Sequence, residues 1–235
     1  MEVIDNIIKS SSDDIEKLLN DLKSENRHVR QAAAAAIAYK HDERVFPALV
    51  EALKDPEWGV RQTAVKSLGY LRKPTSVDHL IPLLKDEIWF VRDAVVAVLG
   101  NLGDRCAVPS IIEALNDVKG SVRWHAARAL MSLGDQAAIE PLIEALRNDD
   151  INTRGEAARA LGTFADQRAI EPLIVLLEDE SPNVRYCAAV SLGMLEDRLA
   201  LTPLEKIAKI DEDKDVRTAA MEARARILVA IEGKQ

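Results

Sequence analysis

An arginine returns along this chain at a nearly fixed interval: Arg30, Arg61, Arg92, Arg123, Arg154, Arg185 and Arg217, a step of 31 residues five times and then 32. A leucine row, Leu53, Leu84, Leu115, Leu146 and Leu177, keeps the same step, and so does an aspartate row, Asp42, Asp104, Asp135, Asp166 and Asp197, with Lys73 as its exception. A period of this length marks supersecondary units that bury their apolar faces by stacking on one another. The frame predicts seven repeats, approximately 13–41, 42–72, 73–103, 104–134, 135–165, 166–196 and 197–228, after an N-terminal cap over 1–12. No Gly/Ser/Pro-rich linker interrupts the period, so a single repeat domain over 1–235 is expected.

Within each repeat the apolar spacing is helical. Leu49, Val50 and Leu53 form a stripe on a short first helix. Pro47, Pro109, Pro141, Pro172 and Pro203 fall near first-helix starts, where a missing N–H costs nothing, whereas Pro82 sits deeper and should distort its helix. Turn-forming stretches such as KDPEWG and EDESPN lead into the second helix. If the residue before the repeated arginine is position one, positions one, five, eight and nine face the core at 100° per residue. Positions six and ten hold small residues, among them Ala34, Ala127, Ala158 and Ala189, and Gly69, Gly100, Gly162 and Gly193, with Met131 breaking the row. A glycine inside a helix costs about 1 kcal/mol relative to alanine. Repetition of that cost implies that the next repeat approaches closely. On this reading Gly162→Leu should destabilise and Gly162→Ala should be much milder.

These residues give the pattern D-x-x-A-I-E-P-L-I-x-x-L-x-D-x-x-x-x-V-R-x-x-A-A-x-A-L-G, best seen in DQRAIEPLIVLLEDESPNVRYCAAVSLG. The chain resembles HEAT-repeat proteins of the short, 31-residue kind named after phycobilisome lyases. The resemblance implies an all-α fold, an α-solenoid of about seven stacked helix-pair repeats forming a right-handed superhelix, with the second helices lining its concave side.

The remaining second-helix positions, three, four, seven and eleven, do not repeat. They carry Trp124, His125, Arg128, Arg159, Tyr186, Cys187, Met194, Tyr70 and Tyr39, and these form the candidate concave patch for a protein partner. Trp, Tyr and Arg are the types enriched in binding hot spots. Arg128 and Arg159 make the patch locally basic, so the partner expected is one with an acidic or aromatic-accepting segment. Trp58 and Trp89, 31 residues apart at the inter-helix turn, should plug the repeat junction. The repeated arginine should form a structural ladder, each guanidinium reaching a carboxylate in the turn of its own repeat, such as Asp55, Asp86, Asp117 or Asp179.

Other function classes find less support. A net charge of −8 argues against a general binder of nucleic acid or anionic membrane. No apolar run approaches the ~20 residues of a membrane span. The acidic start MEVIDNIIKSSSDD is unlike a signal peptide, and Cys106 and Cys187 form no C-x-x-C, so a cytoplasmic setting is expected. His28, His41, His79 and His125 share no metal-ligand spacing and none precedes a glutamate. That excludes the His-Glu iron site of deoxyhypusine hydroxylases, a related HEAT family, and neither metal nor cofactor is expected. HEAT-like DNA glycosylases need a basic groove, and the overall acidity counts against one. The reading is a non-catalytic scaffold or adaptor. Its alternative is a phycobilin lyase-like subunit, or a chaperone-like partner of one, with Cys187 as the only handle.

Overall fold

The computed structural model describes residues 14–233, and the cap expected over 1–12 lies outside them. Two compact units, Met1–Ala107 and Val108–Gln235, are taken separately. The first pairs α1 (residues 14–21) with α2 (Arg27–Ile37), α3 (Val45–Ala52) with α4 (Trp58–Leu71), and α5 (Ser76–Leu80) with α6 (Trp89–Leu102). The second pairs α7 (Val108–Ala114) with α8 (Gly120–Leu133), α9 (Ile139–Ala145) with α10 (Ile151–Phe164), α11 (Ile170–Leu176) with α12 (Pro182–Leu195), and α13 (Leu201–Ile210) with α14 (Lys214–Glu232). The described residues contain no strand. This is an α-solenoid.

Local chemistry sets the helix boundaries. The aspartate row starts the first helices: the Oδ1 atoms of Asp42, Asp104, Asp135, Asp166 and Asp197 each accept the backbone N–H two residues on, at 2.8–2.9 Å. Lys73 cannot do this, and α5 starts without a side-chain cap. Pro82 then acts as its position predicts. With no N–H to give to Asp78 and its ring against that carbonyl, it ends α5 after five residues, and the chain continues as a 3-10 helix, Ile81–Lys85. The second helices α4, α6, α8, α10 and α12 end in the left-handed region, α6 and α8 at Gly103 and Gly134 without a side-chain penalty.

In each unit the second helices pack side by side, α2 on α4 on α6 and α8 on α10 on α12 on α14, and the first helices α3, α5, α7, α9, α11 and α13 lean on their own partners. The contact rule is specific. Position ten of one second helix meets position eight of the next: a Cβ built on Gly162 would lie 2.7 Å from Ser191 Oγ and 2.9 Å from Ser191 Cα, and one on Gly193 would lie 2.9 Å from Ala223 Cα. The same approach lets Ser67 and Ser191, both at position eight, donate to the carbonyls of Ala34 and Ala158 at 2.8 Å. Where Met131 breaks the small row at position ten, position eight of the next second helix is Ala160, a matching reduction.

The arginine ladder exists, but its partners lie one repeat further on than expected. Arg30, Arg61, Arg154 and Arg185 each hold, through Nε and Nη2, both oxygens of the turn aspartate of the following repeat: Asp55, Asp86, Asp179 and Asp211, at 2.6–3.0 Å. Their own turns are held instead by Nη1, which donates to two turn carbonyls, those of Asp55 and Pro56 for Arg61. The arginine sits on the second helix beside its neighbour, so its planar fork spans the seam while its third nitrogen stays at home. Each arginine therefore fixes the register between repeats. The bond from Arg185 holds the Asp211 carboxyl below its usual range, against the opposing effect of burial.

One rung is incomplete. Asn148 stands where the turns at Asp55, Asp86, Asp117 and Asp179 have aspartate, so Arg123 Nη2 reaches the exposed Asp149 at 3.2 Å and its buried Nε has no hydrogen-bond partner among the described residues. Asn148 Oδ1 already accepts the Asp150 N–H, as the aspartates do at their own turns. Asn148→Asp keeps that bond and offers a second oxygen to Arg123. We expect it to stabilise the chain by about 1.5 kcal/mol, the low end for a hydrogen bond to a charged group, seen as a higher midpoint in chemical denaturation. An unchanged or lower midpoint counts against the ladder.

Candidate functional site

On the second helices of the Val108–Gln235 unit, position seven reaches the surface, as does position three except at the buried Gly155, while position four turns into the seam at Glu156, Cys187 and Ala219 and is half-buried at His125. On α8, the Arg128 guanidinium lies over the Trp124 ring, Cζ 5.3 Å from its centroid. The His125 ring stands edge-on to Trp124 with centroids 4.6 Å apart, and its Nδ1 is 3.1 Å from the Ser121 carbonyl. This packing orders a large aromatic side chain before any partner arrives, which lowers the entropy lost on binding.

On α10 and α12 the arrangement departs from the helical-wheel expectation. Cys187 is only 3% exposed, so it is no surface contact. Gly155 faces the thiol across the seam, where a Cβ would sit in ordinary contact, 3.8 Å from Cys187 Sγ. Arg159 covers the thiol, Nη2 3.7 Å from Sγ, and its Nη1 is 3.7 Å from Glu156 Oε2. The Cys187 contact and the Glu156 charge, outweighing burial, push the guanidinium above its ordinary range and keep it cationic. Glu156 is itself 4% exposed, and its Oε1 has no hydrogen-bond partner among the described residues. A carboxylate buried in this way is costly unless paired. Arg159 supplies only a long contact.

Tyr186 is 41% exposed and lines an open pocket of about 540 Å³ with Asn183, Thr218, Asp213, Asp215 and Glu222. Periodicity gives no signal for this pocket, because the acidic run DEDKD stands in one repeat only. Met194 is half-buried on α12, eight residues beyond Tyr186 and hence about 12 Å along the helix axis.

The Met1–Ala107 unit carries the other candidates. Tyr39 and Tyr70, both exposed, pack with centroids 4.7 Å apart and their rings tilted by 56°. Trp58 does not plug a junction. It lies exposed on Phe90, centroids 5.2 Å apart, and Phe90 stacks on Trp89 at 3.7 Å, so the rings form a surface platform. Phe90 escaped the sequence reading because it stands at that point of the frame in one repeat only. Among the described residues no group of three or more His, Cys, Asp or Glu side chains could hold a metal ion, and no helix is long and apolar enough to cross a membrane.

Stacked helix pairs with a repeated inter-repeat arginine define a tandem helical-repeat solenoid. HEAT repeats match residues 15–99, 77–152 and 139–225, and the chain belongs to the HEAT-repeat family. Among solved structures it is similar to the complex of CpcE and CpcF of phycocyanin lyase from Nostoc sp. PCC7120, at 21% identity over 93% of this chain and 94% of that one, TM-score 0.57. It is also similar to E. coli YibA, at 23% identity over 92% and 82% of the two chains, TM-score 0.74. A third likeness is to computationally designed armadillo repeat proteins for modular peptide recognition, at 19% identity over 77% and 99%, TM-score 0.57. At these identities the likeness is one of fold. No curated protein matches the sequence.

Proposed function

We propose that the chain is a non-catalytic adaptor that binds a protein segment across the second-helix face of α8, α10 and α12. The observation that carries this reading is the pre-ordered Trp124–Arg128 pair on α8, with the cationic Arg159 and the exposed Tyr186 on the next two second helices. Arg128 and Arg159 suit a carboxylate or an aromatic face on the partner. Where the segment passes on to α14, the Asp213, Asp215 and Glu222 rim beside Tyr186 suits a lysine or arginine. The partner is thus a segment with an acidic or aromatic residue followed by a basic one.

That two of the fold relatives are a two-protein complex and a set of peptide-recognition proteins supports a binding role. The lyase alternative rests on Cys187, and a thiol buried beneath Arg159 is poorly placed for a bilin, so the adaptor is the better reading.

The test uses a partner recovered with the full chain. The triple change Trp124→Ala, Arg128→Glu, Tyr186→Ala removes side chains that the core does not need, so far-ultraviolet circular dichroism should stay unchanged. Calorimetric titration should show affinity at least ~10-fold weaker, about 1.4 kcal/mol. Undiminished affinity in the folded triple mutant contradicts the proposal.

A further inference from the structure

The outer face of α14 breaks the rule that governs the other second helices of its unit. Positions six and ten of α10 and α12, Ala158, Gly162, Ala189 and Gly193, are buried by the next second helix. The same positions of α14, Met221 and Ala225, are exposed, Met221 by 52%, and Val229 one turn beyond Ala225 is 70% exposed. The acids of the KIDEDKDVR segment serve the turn and the Tyr186 pocket, and the outer face of α14 is apolar at Met221, Ala225 and Val229.

We infer that this face docks a second copy of the chain, α14 packing antiparallel on its symmetry mate. Three observations select that occupant. The first is the change of residue type: position six elsewhere in this unit is alanine, and Met221 replaces it here with a large, flexible apolar side chain, 52% exposed. The second is helix length. At 19 residues α14 is longer than the 14-residue second helices before it, and the extra turns carry Val229 and Glu232. The third is self-complementarity. At 100° per residue Arg217, Thr218, Met221, Ala225, Leu228, Val229 and Glu232 fall within one third of the circumference.

A two-fold axis at Ala225 pairs the small residue with itself at the crossing and sets Met221 against Val229 of the mate on both sides. It also brings Glu232 of each helix to the Lys214, Arg217 and Thr218 end of the other. Charges of opposite sign then meet twice, and the two helix dipoles oppose. Arg217 has its Nη1 on the Asp211 and Glu212 carbonyls, as every ladder arginine holds its own turn, which leaves the rest of the fork facing the incoming carboxylate. The contact thereby continues the arginine–carboxylate seam between repeats in a different geometry. It uses a different face from the proposed partner site, and either can fail without the other.

Sedimentation equilibrium of the full chain at micromolar concentration should give twice the 25.9 kDa of the monomer. Val229→Glu, at an exposed position, should return the monomer mass with unchanged circular dichroism. Val175→Glu, equally exposed on α11, should leave the dimer intact. A wild-type chain that is monomeric, or a dimer that survives Val229→Glu, overturns the inference.

Discussion

Asp179→Ala is expected to cost about 3 kcal/mol of stability, the low end of the range for removing one partner of a buried ion pair. The side chains of Arg154 and Asp179 are 10% and 8% exposed, and the substitution leaves the guanidinium in the seam without its bidentate acceptor. It also removes the acceptor for the Ser181 N–H, so the turn into α12 loosens at the same time. Glu180, 3.3 Å from Arg154 Nη2 but largely exposed, recovers only part of the loss. The sharper test is a double-mutant cycle with Arg154→Met. If the pair couples adjacent repeats, the double variant should lose clearly less than the sum of the two single losses. Additive losses, or a cost within about 0.5 kcal/mol for Asp179→Ala, which is the range of an ordinary surface change, would show the ladder to be ornamental.

Gly162→Leu should be at least as severe, about 3 kcal/mol or more after allowing for the ~1 kcal/mol that leaving glycine gains in helix propensity. The new Cβ alone would stand 2.8 Å from Ser191 Cβ and 2.9 Å from Ser191 Cα, and backbone cannot step aside as a flexible side chain can. The rest of the leucine would force α10 and α12 apart and break the bond from Ser191 Oγ to the Ala158 carbonyl. The same distances revise the expectation for alanine. Gly162→Ala places its only extra atom at the point of closest contact, so it too should lose stability, by about 1 kcal/mol net. Equilibrium denaturation of the three proteins decides this. A neutral or stabilised Gly162→Ala would mean that the seam yields at little cost.

The repeat was legible because packing reuses one solution. The period, the core positions one, five, eight and nine, the small row at ten and the distortion at Pro82 follow from side-chain size and backbone chemistry that a single repeat already displays. The ladder was legible in its residues but not in its register. Asp55 is nearer in sequence to Arg61 than to Arg30, and only the side-by-side packing of second helices shows that the fork reaches forward while Nη1 reaches back. Position four misled for a related reason. A helical wheel puts His125, Glu156 and Cys187 toward solvent, yet on α10 and α12 that face is shared with the neighbouring second helix, so Glu156 and Cys187 are buried while His125 stays half-buried. The Tyr186 pocket between α12 and α14 and the apolar outer face of α14 each rest on residues that do not recur along the chain, so periodicity carried no signal for either.

The central functional claim is that the second-helix face of α8, α10 and α12 meets the partner, and photo-crosslinking tests it most directly. A photoreactive phenylalanine analogue is placed singly at Trp124, at Tyr186, and at Val175 on the exposed side of the first helix α11. With a recovered partner in excess, positions 124 and 186 should yield crosslinked product and position 175 none. Crosslinking from 175, with none from 124 or 186, would contradict the account and move the binding surface to the first helices.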